Sequence, residues 1–154
     1  MPFDISFAKP RGRELDPNEV WLQQILHTFP ELSTLEKDSG HLAELLAPDA
    51  GMTPGEYLAR GIGLEAVYES ETFWICLGFW DSTATIELPN YPECGVETAL
   101  DIVGKYVQFL DEVGFSVLHP GDDSLLKEPW REVLTDAYKQ RQSIVALASN
   151  LMRN

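Results

Sequence analysis

The alternation of apolar and polar residues predicts the strands of this chain. Phe3, Ile5 and Phe7 alternate with polar neighbours, which predicts a first strand over residues 2–8. Three more segments have the composition of strands and are separated by short polar turns: Leu64–Glu69, Phe73–Phe79 and Thr83–Leu88. The middle segment is apolar on both faces, which predicts a central position in the sheet, and Gly78 within it indicates a bulge or a close backbone approach. The last segment alternates strictly, which is typical of an antiparallel sheet with one covered face.

Apolar residues at helical spacing predict the helices. The most pronounced pattern covers residues 95–113, where Gly114 ends the helix and a last strand follows over 115–118. Shorter helices are predicted after Asp16-Pro17, over 41–46 and over 54–60, with a polar connection at 31–40. A long C-terminal helix begins after Glu128-Pro129, with apolar residues on one side over more than five turns. Arg141 falls within that apolar side, so either the helix breaks near residue 140, or a carboxylate pairs with the arginine, or its head reaches water.

Together these elements predict an α+β fold, with a mostly antiparallel sheet of four or five strands and helices packed mainly on one face. The chain of 154 residues has the length of one domain, covering 1–154. Its apolar stretches are too short to span a membrane, and its first residues lack the pattern of a secretory signal. The sequence therefore predicts a cytoplasmic protein.

The acidic residues are concentrated in one part of the chain. The net charge is −14, and the stretch between residues 14 and 126 contains 21 acidic residues and only three basic ones. Such a field repels nucleic acid and anionic membranes and speeds encounter with a basic protein partner. An acidic surface that serves solubility alone is the alternative. The basic segment Lys9–Arg13 is predicted to be a solvated loop.

Only one cluster of residues suggests catalytic chemistry. His119, Asp122 and Asp123 follow the last predicted strand, and such side chains can hold a divalent metal or act as a general base. The same composition is typical of an ordinary turn. Cys76, inside the apolar strand, is interpreted as a small buried thiol. The chain has no dinucleotide-binding or P-loop motif, and we predict neither a cofactor nor a metal.

Aromatic and acidic residues at the ends of the central strands suggest a binding surface. Trp74 and Trp80 share one face of an unbroken strand by parity. If no helix covers this face, the aromatic residues would anchor a partner and the nearby carboxylates would steer it; if helices cover it, the tryptophans belong to the core. The residues selected as a partner-binding site are Trp80, Asp81, Glu87, Tyr91, Glu93, Asp122 and Asp123.

One block of the sequence also resembles known proteins. A strand ending in Ile86-Glu87-Leu88-Pro89, an amphipathic helix and the segment Gly114–Pro120 follow one another in an order that resembles a recurring block in small bacterial proteins. Some of these resemble immunity proteins of polymorphic and contact-dependent toxin systems. The resemblance implies a protein that binds a cognate toxin and blocks it, with no catalytic residues. It does not identify the toxin.

The function predicted from the sequence is therefore a non-enzymatic acidic binding protein, as an immunity-type inhibitor of a basic toxin. Two alternatives remain: a small metal-dependent hydrolase that uses His119 and Asp122, and a structural or phage-related assembly subunit that associates through an apolar face.

Overall fold

A computed structural model describes residues 2–34 and 39–153 of the protein. It contains one open antiparallel sheet with the strand order β2-β3-β4-β5-β1-β6. The strands are β1 (Phe3–Ala8), β2 (Ser33–Thr34), β3 (Leu64–Glu69), β4 (Trp74–Phe79), β5 (Thr83–Leu88) and β6 (Ser116–Val117). The predicted α+β class, the antiparallel sheet and the central position of β4 are confirmed. The sheet has six strands rather than four or five, because the two-residue strand β2 is too short to show a period.

Five α-helices and one 3₁₀ turn at Pro48–Ala50 connect and cover these strands. Thr53 caps one of the short helices as its sequence predicts, since its hydroxyl accepts a hydrogen bond from the Glu56 N–H at 3.2 Å. Part of the predicted polar connection, residues 35–38, lies outside the described residues. The helices are α1 (Asn18–Thr28), α2 (Ser39–Leu46), α3 (Pro54–Arg60), α4 (Val96–Glu112) and α5 (Trp130–Arg153).

The hydrophobic core lies on one face of the sheet, which we call the covered face. Alternate strand residues point into it, and the register places them side by side in rows across the strands. Apolar residues of α1, α4 and the first half of α5 complete the same cluster. The strand residues of the covered face that belong to this core are Phe3, Ile5, Phe7, Leu64, Ala66, Tyr68, Ile75, Leu77, Phe79, Ala84, Ile86 and Leu88.

Helix α5 packs on the sheet along only half of its length. Leu134 and Tyr138 are buried, and the Tyr138 ring stacks on Phe3 with 4.2 Å between the ring centres. The helix continues unbroken past Gln140, which excludes the predicted break. Its second half differs from the continuous apolar side that the sequence predicts to pack. The large apolar residues there are exposed, because the helix extends beyond the end of the sheet: Ile144, Leu147, Leu151 and Met152.

The basic segment that follows β1 contains a buried charge. The side chain of Lys9 is 5% exposed, which contradicts the predicted solvated loop at this position. Its Nζ lies 5.5 Å from the centre of the Trp21 ring and has no hydrogen-bond partner among the described residues. Burial, with a smaller contribution from Arg60, lowers the pKa of Lys9 to about 8, although Asp81 opposes the change.

Candidate functional site

The second face of the sheet carries no helix, and we call it the open face. None of its side chains belongs to the hydrophobic core, and all except Gly78 are partly or fully exposed. Every one of its positions lies in the described part of the chain, and none is a lysine or an arginine. Its residues are Asp4, Ser6, Ala8, Glu65, Val67, Glu69, Trp74, Cys76, Gly78, Thr83, Thr85 and Glu87, with Trp80 at the end of β4.

Carboxylates lie next to one another on the open face. The register places Glu87 between Cys76 of β4 and Asp4 of β1. Like charges directly opposite each other destabilise a sheet, so this pair costs folding energy in the isolated protein. Removal of part of the surrounding water raises the pKa of Asp4, and the nearby Arg141 guanidinium opposes the change. A cation arriving at this row would relieve the repulsion.

Trp80 is held half-buried at one end of the open face. Its ring covers Gly78, where an added Cβ atom would lie 2.8 Å from the ring. Its indole N–H donates to the Thr85 hydroxyl at 2.9 Å, so the side chain has a defined orientation. The close approach at Gly78 that the sequence predicts is therefore that of an aromatic ring, and the β3–β4 ladder passes Gly78 in regular register.

The backbone around Trp80 is tied to two helices. Buried Asn18, at the start of α1, donates from Nδ2 to the Trp80 carbonyl at 2.9 Å and to the Gly61 carbonyl at 3.1 Å. Arg60 of α3 donates to the Asp81 carboxylate at 2.6 Å and to the Asp81 carbonyl at 3.1 Å. Asp81 therefore holds the β4–β5 turn in place through an ion pair. A residue in this role anchors the site, and its charge is already balanced.

Tyr91 and Glu93 lie at the other end of β5, in the loop before α4. The Tyr91 ring is 54% exposed, and its hydroxyl donates to the Gln142 carbonyl of α5 at 2.5 Å. Glu93 is exposed in the same loop. Because β5 has six residues, this loop is about 20 Å from Trp80 and Asp81.

Asp122 and Asp123 lie in the turn after β6, and their contacts there are local. The Asp122 carboxylate accepts hydrogen bonds from the Ser124 hydroxyl at 2.6 Å and the Ser124 N–H at 3.0 Å, which hold the pKa of that carboxyl below its usual value. His119 Nδ1 accepts from the Gly121 N–H at 3.0 Å and lies 3.8 Å from the Asp122 carboxylate. Within residues 2–34 and 39–153, no group of three or more His, Cys, Asp or Glu side chains is placed to hold a metal ion.

The seven residues predicted as a partner-binding site therefore form no single patch. Trp80 and Glu87 share the open face, Asp81 supports it from the turn beside it, and the other four lie elsewhere. The sequence selection missed Glu65, Glu69 and Asp4, which are on the open face. The alternation along β3 and β1 carried the signal for them, since these acids stand one residue from positions that face the core.

Cys76 is on the open face, which contradicts its interpretation as a buried thiol. It is partly exposed, and its Sγ lies 3.1 Å from a Glu65 carboxylate oxygen in hydrogen-bond geometry. The apolar character of β4 concealed this position, because the residues on its two faces differ little in hydrophobicity.

Comparisons with known proteins leave the geometry as the basis for the site: no family model, no curated protein and no solved structure matches the chain. Within the described residues, no helix has the length and apolar character needed to span a membrane.

Proposed function

We propose that this protein is a non-enzymatic, cytoplasmic binding protein whose open face holds a basic protein partner. The observation that supports the proposal is the open face itself, with two tryptophans and four carboxylates, no lysine or arginine, and no helix over it. Such a surface combines the aromatic anchors and the charge that protein–protein interfaces use for affinity and steering.

The rest of the molecule supports the choice of a basic partner. Net charge is −14, and the strand positions of the open face contribute only acids to it. The Asp4–Glu87 juxtaposition is unfavourable in the free protein and becomes favourable when a cation approaches. Folding alone gives no reason to place two carboxylates opposite each other or to leave Trp74 partly exposed.

The resemblance of the stretch from Ile86 to Pro120 to immunity-type proteins supports a toxin as the partner class. The proposal is thus an inhibitor that covers a basic surface of a toxin such as a nuclease. The hydrolase alternative predicts stoichiometric metal that is lost in His119→Ala, so metal analysis of the purified protein and of that variant separates the two functions.

The direct test is binding to the protein encoded by the neighbouring reading frame of the same genome. The variant Glu69→Lys/Glu87→Lys changes two carboxylates of the open face. We expect its association rate constant at low salt to fall by about tenfold, with a weaker salt dependence, because steering depends on local charge. The matched control Asp111→Lys/Glu112→Lys carries the same net charge on two exposed residues at the end of α4.

The control is expected to lose much less than the open-face variant. Equal losses in both variants would show that only the overall charge matters and would remove the open face as the site. Absence of any complex would contradict the proposed partner. In a complex, Trp74→Ala should increase the dissociation rate by about tenfold or more if this aromatic residue is an anchor.

A further inference from the structure

One half of strand β1 has no neighbour on its outer side. The ladder between β1 and β6 covers only Phe7–Val117 and Ala8–Ser116, followed by one hydrogen bond from the Leu118 N–H to the Ser6 carbonyl at 2.9 Å. Over residues 3–5, β1 pairs with β5 alone as far as the structure describes the chain. The first half of β1 is therefore a local sheet edge.

The free backbone groups on this edge can be assigned from parity. Successive residues of a strand point their N–H and C=O groups to opposite sides. Ser6 points toward β6, since its carbonyl accepts from Leu118, and Lys9 points toward β5, since its N–H donates to the Ser82 carbonyl. Asp4, two residues before Ser6, therefore presents its N–H and C=O to the outer side. Pro2 adds a carbonyl there.

A proline explains why β6 ends before it reaches Asp4. The register that pairs Phe7 with Val117 places Pro120 opposite Asp4, and proline has no N–H to donate. The chain folds back there, because Leu118 pairs with Leu125 and the His119 N–H donates to the Ser124 carbonyl at 2.7 Å. The position that a longer β6 would occupy is left empty.

That position is the floor of a cavity of about 520 Å³. Its walls are the start of β1, the turn at His119–Gly121 and one side of α5. The helix contributes apolar side chains and one acid from successive turns: Val133, Asp136, Ala137 and Ile144. A groove between a strand edge and a helix is the geometry in which proteins add an extended peptide to a sheet.

We propose that this groove binds an extended peptide segment of a partner protein, antiparallel to β1 and in line with β6, with the pattern apolar–basic–apolar. The basic residue would stand opposite Asp4 and share its face of the sheet, where the row already contains Glu87. The flanking residues would point to the other side, toward Val133, Ala137 and Ile144. Asp136 adds to the negative charge of the groove, and Arg141 offsets only part of it.

This site is separate from the proposed use of the open face and can exist without it. The peptide would pair with the backbone at the sheet edge, whereas a partner on the open face would contact side chains of β3, β4 and β5. The variant Glu69→Lys, at the far side of the sheet, should leave peptide binding unchanged.

The probe is the peptide acetyl-Ser-Val-Lys-Val-Ser-amide, added to the full chain labelled with ¹⁵N and followed by NMR titration. We expect saturable shifts of the Asp4 amide and of the α5 residues that line the groove. The same peptide with an N-methyl group on the lysine nitrogen loses the bond to the Asp4 carbonyl and should bind about tenfold more weakly. The peptide with glutamate in place of lysine should bind more weakly still.

Two variants at one position separate the backbone from the charge. Asp4→Ala keeps the N–H and removes the carboxylate, whereas Asp4→Pro removes both and leaves the ladder to β5 intact, because that ladder uses the odd residues. We expect Asp4→Pro to bind about tenfold more weakly than Asp4→Ala. Equal binding by the methylated and unmethylated peptides would overturn the proposal. So would a concentration-dependent dimer in sedimentation that excludes the peptide, since a second copy would then occupy the edge.

Discussion

The two faces of the sheet are built from alternate residues of the same strands, yet they differ in every property that matters for function. On the covered face, Leu77 is buried in the core, and its neighbour Cys76 is partly exposed on the open face. The covered face needs no explanation beyond burial of apolar surface. The open face contains opposed carboxylates and an aromatic ring that folding alone does not require. The comparison teaches that stability and binding are divided between the faces of one sheet.

The largest expected effect contrasts adjacent residues of β4. Leu77→Ala removes a fully buried side chain and should lower the free energy of unfolding by about 3 kcal/mol. Cys76→Ala removes a partly exposed thiol and one hydrogen bond and should cost less than about 1 kcal/mol. Urea denaturation of both variants measures the contrast. Similar losses would mean that the open face is covered in solution.

Lys9 is the exception on the covered side, and removing its charge should stabilise the protein. Its pKa is lowered to about 8 in the folded state, so the unfolded chain binds more protons between pH 8 and its ordinary value of 10.5. Stability from this group therefore rises with pH across that window. Lys9→Met should gain about 2 to 3 kcal/mol at pH 7.

The difference between the two proteins should shrink as pH rises from about 8 toward 10. Thermal or urea unfolding of the wild type and Lys9→Met at pH 7 and pH 10 gives this difference directly. A gain that is independent of pH would show that packing rather than charge distinguishes the variant. Burial, as the main cause, also raises the pKa values of Tyr106 and Tyr138, but these tyrosines are common to both proteins and cancel.

A smaller effect is expected at Gly78, where the open face holds Trp80. Gly78→Ala places a methyl group against the indole ring, which must move and lose its hydrogen bond to Thr85. We expect a loss of about 1 kcal/mol in stability and stronger acrylamide quenching of tryptophan fluorescence. The quenching is measured in a Trp74→Phe background to remove the other tryptophan of this face. Unchanged quenching would mean that Trp80 has another stable position.

The smallest effect is expected in the second half of α5, which extends the comparison to a helix. Leu134→Ala, in the packed half, should cost about 3 kcal/mol. Leu147→Ser, in the exposed half, should change the free energy of unfolding by less than about 0.5 kcal/mol. A loss above 1 kcal/mol that depends on protein concentration would reveal that a second copy packs on this half.

Much of the fold follows from local patterns. The alternation in β1 and β5, the double-sided apolar run of β4 and the amphipathic pattern of α4 each predict their element. Parity also places Trp74 and Trp80 on one face, as the structure confirms. Strand β2 escaped prediction because two residues have no period. The exposed end of α5 escaped because periodicity shows that a helix has an apolar side and says nothing about where the partner surface ends.

The site was less predictable than the fold. Trp80 and Glu87 were selected correctly as members of one face, because strand parity depends only on sequence. Asp81 was selected for its charge, although Arg60 balances it through a contact 21 residues away in the chain. Asn18, which fixes the backbone of Trp80 from 62 residues away, had no local signal.

By itself, the sequence determined where strands and helices form, which strand residues share a face, and that the chain is strongly acidic. These properties depend on neighbours a few residues apart, or on a sum over the chain. The tertiary structure alone decided which face of β4 the helices cover, because both of its faces are apolar. It also decided that β6 ends beside a free edge of β1, since strand pairing joins residues more than a hundred positions apart. Both binding surfaces proposed for this protein depend on those two decisions.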